Sequence, residues 1–175
     1  MMRRIVAFTG LAGCGKSTAA HHLVAQGWQR VRFAGPLKAM MAALGLTERE
    51  IEGDLKQKPS DLLCGSTPRH AMQTIGTEWG RDLIGGAVWV RAWRAALDRV
   101  PAGVPVVVDD CRFQNEADAV RDLGGVIIRI VRPGAGAGAL GHASEGQPIE
   151  TGPEIDNSGS IERFLSEIDC LVNPL

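Results

Sequence analysis

The sequence predicts an α/β fold of three layers, with helices on both faces of a central parallel sheet. Three observations point that way. Runs of apolar, largely β-branched residues recur at Ile5–Thr9, Val104–Val108 and Val126–Val131, the pattern of strands buried on both faces. Helical patterns alternate with these runs, so consecutive strands have the right-handed crossovers of a parallel sheet. The first strand ends on glycines and the second on Asp109-Asp110, which brings chemistry-bearing residues to the C-terminal edge of the sheet.

Each element has its own local signal. Lys16 to Gln26, rich in alanine with Leu23 and Val24 to bury, reads as a helix that Gly27 closes as a left-handed cap. Trp28 to Phe33 alternates apolar and polar residues, as a strand does. Gly35-Pro36 opens a helix with proline in the first turn, where its missing N–H costs nothing. Leu37, Met40, Met41 and Leu44 form that helix's buried stripe, and Gly45 ends it. Thr47 and Glu50 have capping-box spacing for a short helix, while the polar stretch from Glu48 to Ser60 reads as an exposed, mobile flap. Thr67-Pro68 starts another helix, with Ala71, Met72 and Ile75 inward and Gly76 as its stop. Trp89, Trp93, Ala96, Leu97 and Val100 recur at helical spacing, which assigns the tryptophan pair to the core rather than to a ligand platform. Glu116 to Leu123 is the next helix, closed by Gly124-Gly125. Ile161, Phe164, Leu165, Ile168 and Leu171 make a final amphipathic one. Pro133 to Asp156, rich in Gly, Ala and Pro, is too long and irregular for a turn and reads as a functional lid or a disordered loop.

Composition narrows the function. A chain of 175 residues and 18.6 kDa fits one domain with its own core. A net charge of -1 and a pI near 6.4 give no general attraction to a polyanion, which argues against a dedicated nucleic-acid-binding module. Ile5–Thr9 is too short for a signal-peptide core, and no segment approaches the ~20 apolar residues that span a membrane. A cytoplasmic protein is expected, with Cys14, Cys64, Cys111 and Cys170 as reduced thiols. They form no C-x-x-C pair, and the adjacent His21 and His22 cannot face one ion together, so a zinc site is not expected.

Gly10-Leu11-Ala12-Gly13-Cys14-Gly15-Lys16-Ser17 satisfies every fixed position of the G-x-x-x-x-G-K-[ST] phosphate loop (P-loop), and it follows a strand and opens a helix. Backbone N–H groups and the helix dipole converge there on a phosphate. Gly10, Gly13, Cys14, Gly15, Lys16, Ser17 and Thr18 are therefore the candidate ATP phosphate site. Lys16 is there to neutralise the outer phosphates and Ser17 to complete a Mg²⁺ shell of oxygen ligands. A second carboxylate belongs at a nearby strand end, and either Asp109 or Asp110 supplies it, the other being free to cap the following helix. Arg112, just beyond, is close enough in sequence to reach a transferring phosphoryl group or is a plain surface arginine. Arg69 and Gln73, four apart on one helical face, can hold an acceptor phosphate and a base edge, with Arg81 completing the clamp. The same residues equally describe a solvated helix face with Trp79 packed beneath.

These motifs together resemble the phage-type deoxynucleoside monophosphate kinases, a branch of the P-loop nucleoside monophosphate kinase group. Besides the loop, the resemblance rests on Phe33-Ala34-Gly35-Pro36-Leu37-Lys38, Gln73-x-x-Gly76-Thr77-Glu78-x-Gly80-Arg81 with Trp89 beyond, Asp110-Cys111-Arg112-Phe113-x-Asn115-Glu116 and His142-Ala143-Ser144-Glu145. It implies a P-loop NTPase fold occupying residues 1–175 as one kinase domain, with a helical acceptor-binding region at about 34–100 and a lid at about 133–156. It also implies Lys38, Arg69, Gln73 and Arg81 as acceptor contacts, Asp110 as the magnesium carboxylate, and Arg112 as a transfer-site arginine beside Lys16. Arg132, His142, Glu145 and Asn157 fall to the lid or donor-base region. The lid departs from the broader group in having no Lys or Arg between Pro133 and Asp156, which leaves Arg132 as the nearest cation.

The expected reaction is Mg²⁺-dependent transfer of the ATP γ-phosphoryl group to a deoxynucleoside monophosphate by a monomer or homodimer, with no nucleic-acid polymer or membrane as partner. Two alternatives stand beside it. One keeps the fold with another acceptor, such as dephospho-coenzyme A. The other is an ATP-hydrolysing regulatory switch, against which stand the absence of an N-K-x-D element and the Arg69 to Arg81 cluster.

Overall fold

The computed structural model describes residues 3–136 and 149–173. The chain divides into two compact units, Met1–Arg32 with Ala96–Leu175, and Phe33–Ala95.

The first unit carries the sheet. Five parallel strands, β1 (Ile5–Thr9), β2 (Gln29–Arg30), β3 (Val106–Val108), β4 (Val126–Val131) and β5 (Glu154–Asp156), lie in the order β2-β3-β1-β4-β5. β1 is central, and all five of its residues are buried. It pairs Val6 with Val107 on one side and with Val126 on the other. Alternation along β1 sends Val6 and Phe8 to one face, where α1 (Lys16–Ala25) and α7 (Ile161–Val172) contribute Ala20, Leu23, Phe164 and Ile168 to the same apolar cluster. α6 (Gln114–Arg121) packs on β1 and β4, with Ala117 and Val120 fully buried. The arginines near the start are structural. Arg3 donates to the carbonyls of Leu97 (2.5 Å) and Val100 (2.7 Å), and Arg4 donates to that of Val172 (2.7 Å) while lying 5.1 Å over the Trp28 ring.

The strand expected from Trp28 to Phe33 narrows to Gln29–Arg30, because β3 offers only Val106 and Val107 as partners at that edge. The loop expected from Pro133 to Asp156 ends in β5, whose Ile155 pairs with Ile130 and is buried. The glycine-rich composition upstream hides so short an edge strand. Val24 lies on the outer side of α1, 40% exposed.

The second unit is helical: α2 (Gly35–Leu44), α3 (Glu48–Ile51), a 3₁₀ turn (Asp61–Leu63), α4 (Pro68–Thr74), a wide π-type helix (Ile75–Ile84) and most of α5 (Val88–Leu97). Leu37, Met41, Leu46, Ile51, Met72 and Trp89 form its core. Only Leu37 and Met41 of the expected α2 stripe are buried, while Met40 and Leu44 are exposed. Trp89 and Trp93 are core residues, and the Trp93 ring stands 4.7 Å from that of Phe33.

The stretch from Glu48 to Ser60, expected as a flap, is tied down. Glu50 accepts from the Thr47 N–H (2.8 Å) and from Ser60 (2.9 Å), the Arg69 N–H donates to the Lys56 carbonyl (2.9 Å), and Ile51 is buried. Gly76 does not stop the helix begun at Thr67. The chain widens instead, with the Gly85 N–H bonding the carbonyl of Gly80 five residues back (2.9 Å). Tertiary contacts override the glycine signal. The Trp89 Nε1–H donates to the Gly76 carbonyl (2.7 Å), and a Cβ on Gly80 would meet the Trp89 ring at 2.6 Å.

Candidate active site

The phosphate-loop candidate leaves the end of β1, turns through Gly10, Gly13 and Gly15, and enters α1 at Lys16. All three glycines have positive φ (137°, 80° and 115°), a region where a Cβ is strained. Two of them are also enclosed. A Cβ on Gly10 would lie 2.2 Å from the Ile130 carbonyl oxygen, and one on Gly15 would lie 2.5 Å from Asn157 Nδ2. The loop's curvature is thus built into its glycines.

Lys16 Nζ donates to the carbonyls of Gly10 and Leu11, both at 2.7 Å, and lies 3.7 Å from Cys14 Sγ. Burial holds the Lys16 ammonium below the usual lysine value. The Cys14 thiol opposes that, the positive charge of Arg112 adds to it, and Asp109 opposes it weakly. Cys14 is buried, while Ser17 and Thr18 are exposed on the first turn of α1.

Ser17 Oγ donates to Asp109 Oδ2 at 3.2 Å. Asp109, just past β3, is 5% exposed and is gripped by Arg30 from β2. The Arg30 Nε donates to Oδ1 (2.9 Å) and its Nη2 to Oδ2, a two-pronged charge-assisted pair. Arg30 Nη1 also bonds His21 Nε2 at 3.2 Å. Among the paired aspartates it is therefore Asp109 that meets Ser17, while Asp110 is half-buried beside it. Arg112 is exposed, and Glu116, 3% exposed, accepts the backbone N–H groups of Arg112 (2.8 Å) and Phe113 (3.2 Å), which fixes the chain after the aspartates. Burial pushes the Cys111 thiol up, with the charges of Glu116 and Asp110 adding to the effect, so this thiol stays protonated.

Asn157, assigned above to the donor-base region, turns its side chain to the loop itself, its Nδ2 donating to the Cys14 carbonyl at 2.8 Å. Arg132 is exposed beyond β4. His142 and Glu145 lie outside the described residues. In the helical unit, Lys38 forms an ion pair with Glu52 (2.8 Å), Arg69 and Gln73 are half-buried on α4, and Arg81 Nη1 lies 3.5 Å from the Gly86 carbonyl on the wide helix. Arg30, which holds Asp109, was not among the residues expected at the site. Its signal was topological: the C-terminal end of a strand that neighbours β3, which no local motif marks.

Ser17 and Asp109 offer hard oxygen donors at the end of the sheet, the chemistry Mg²⁺ selects. Among the described residues no group of three or more His, Cys, Asp or Glu could hold a metal. Among the described residues no helix is long and apolar enough to cross a membrane.

Comparison with known proteins bears on the family and the fold. Residues 65–168 match the family of deoxynucleotide monophosphate kinases. A protein of Acanthamoeba polyphaga mimivirus assigned as such a kinase is 34% identical over 188 aligned residues, which cover 97% of this chain and 96% of that protein. The deoxynucleotide monophosphate kinase of Enterobacteria phage T4 is 33% identical over 103 residues, 57% of this chain and 43% of its own. In backbone structure, the Mycobacterium tuberculosis APS kinase CysC, solved with AMPPNP and APS, superposes with a TM-score of 0.54 at 15% identity, covering 98% of both chains. A Thermus thermophilus protein superposes with a TM-score of 0.58, again at 15% identity, covering 100% of this chain and 99% of its own. At such identities the two structures speak for the fold alone. The family match begins at residue 65, beyond the phosphate loop, whereas the match to the mimivirus relative runs nearly the whole chain. A parallel sheet with a glycine loop at its central strand, and full-length similarity to a viral kinase, lead to one conclusion: this chain belongs to the deoxynucleotide monophosphate kinase family.

Proposed function

We propose that the residues around the phosphate loop carry out the family's reaction, in which the γ-phosphoryl group of ATP passes to a deoxynucleoside monophosphate to give ADP and a deoxynucleoside diphosphate. The chain is an enzyme of the kinase class, and what is assigned here is the part each residue plays. The observation that carries the assignment is the Gly10–Ser17 loop at the end of the central strand, with Ser17 bonded to the buried Asp109.

In this reading the N–H groups from Gly13 to Thr18 bind the donor phosphates, helped by the positive end of α1. Lys16 exchanges its loop carbonyls for phosphate oxygens and stabilises the charge that builds up during transfer. Ser17 and Asp109 would hold Mg²⁺, which when bound neutralises phosphate charge, and Asp110 is close enough in sequence to assist. Arg112 and Arg132 add positive charge for the transferring group. Lys38, Arg69, Gln73 and Arg81 are assigned to the acceptor. A monophosphate oxygen is already a sufficient nucleophile once aligned, so no side chain need act as general base. The reaction is placed in the cytoplasm, where ATP is supplied and the free thiols of Cys14, Cys64, Cys111 and Cys170 persist.

The test is ATP consumption with Mg²⁺ and each of dAMP, dGMP, dCMP and dTMP, with dephospho-coenzyme A and a no-acceptor control alongside. Rate dependent on a deoxynucleotide is expected, falling about 10²–10³-fold or more in Lys16→Ala. ATP hydrolysis that needs no acceptor would overturn the assignment in favour of a switch.

A further inference from the structure

The phosphate loop is held from behind by a side chain that has no part in the reaction above. Asn157 follows β5, and its backbone N–H donates to the Val131 carbonyl at 2.8 Å, so the β4–β5 pairing fixes where the residue stands. Its side chain is buried, and Nδ2 donates 2.8 Å to the carbonyl of Cys14, 143 positions away in sequence. Gly15 is the next residue. A Cβ there would stand 2.5 Å from Nδ2 and 3.3 Å from the Phe164 ring of α7, so the glycine is what lets the asparagine come close.

A trans peptide points its C=O and its N–H in opposite directions. Holding the Cys14 carbonyl toward Asn157 therefore aims the Gly15 N–H the opposite way, the direction from which a phosphate oxygen would be bound. A buried carbonyl without a donor is costly, which makes the bond with Asn157 a constraint on the peptide plane rather than an incidental contact. We infer that Asn157 is a positioning residue of the phosphate loop: it orients the Cys14–Gly15 peptide for anion binding and does not read the donor base. The inference rests on Gly10–Ser17 being the phosphate site.

Inorganic tripolyphosphate separates the two roles, because it carries the anion without base or sugar. Titration calorimetry with Mg²⁺ compares ATP and tripolyphosphate on the full chain, on Asn157→Ala, and on the equal-sized Asn157→Asp, which loses the N–H donor. Thermal melts confirm that each variant is folded. The expected result is a loss of about tenfold for both ligands, by the same factor, with KM for the deoxynucleotide unchanged. Weakening of ATP alone would make Asn157 a base contact and overturn the inference. So would unchanged binding of both ligands in either folded variant. Failure of the unaltered protein to bind tripolyphosphate would overturn the phosphate-loop assignment along with it.

Discussion

The clamp of Arg30 on Asp109 lends itself to a quantitative test. The Asp109 side chain is 3% exposed and that of Arg30 23%. Replacing Arg30 by Met keeps most of the apolar stem but strands a buried carboxylate, and breaking a buried pair in this way costs about 3–5 kcal/mol. Arg30 keeps a quarter of its surface in water, and Ser17 still donates to the carboxylate, so the lower end, about 3 kcal/mol, is expected. Asp109→Asn should cost less, about 1–2 kcal/mol, because the guanidinium keeps its bond to His21 and still reaches solvent. In the double variant no charge is stranded, which leaves a coupling energy of about 2 kcal/mol in the cycle. The single Arg30→Met change should lower the melting temperature by about 6–12 °C for a chain of this size. Urea unfolding gives the energies, and hydrogen exchange of peptides from β1 and β3 localises the loss to the sheet. A coupling below about 0.5 kcal/mol would refute the clamp, since pairs with no mutual dependence add within that error.

Two further outcomes test the helical unit. Gly80→Ala should destabilise it by about 1–3 kcal/mol although alanine favours helices, because the new methyl would sit 2.6–2.8 Å from three atoms of the Trp89 indole. Restoration of the loss in a Trp89→Leu background is the check, and undiminished stability in the single variant would sink the argument. The Glu50 carboxyl is held below the ordinary carboxylate value by the Thr47 N–H, then by the Thr47 and Ser60 hydroxyls. A depressed folded value means the cap is fully present above the ordinary carboxylate value and is lost as pH falls through the lowered one. The Thr47 amide resonance should follow that low transition, and Glu50→Gln should remove the transition while keeping the cap. Titration of this amide at the ordinary value would contradict the assignment.

Much of the fold was legible because its signals are local. The G-x-x-x-x-G-K-S spacing, the β-branched strand before Asp109, the proline starts of α2 and α4, and the tryptophan spacing in α5 each act within a few residues. What escaped the reading depends on contacts distant in sequence. β5 is a strand only because β4 offers it an edge. Gly76 reads as a helix stop until the Trp89 indole takes its carbonyl. In the candidate site, Lys16 and Ser17 stood out by motif. That Ser17 bonds Asp109, that Arg30 grips the same carboxylate and that Asn157 turns to the Cys14 carbonyl all depend on which strands are neighbours.

The wide helix from Ile75 to Ile84 also bears on how the chain tolerates changes in length. Its hydrogen bonds reach one residue further back than those of an α-helix, as the Gly80–Gly85 bond shows. Such a segment contains a surplus residue. A one-residue deletion there can be absorbed by tightening to ordinary α-helical pairing, whereas the same deletion in α4 or α5 would turn the side chains after it by about 100° relative to those before it. Relatives in which this helix differs in length by one residue are therefore compatible with the same core.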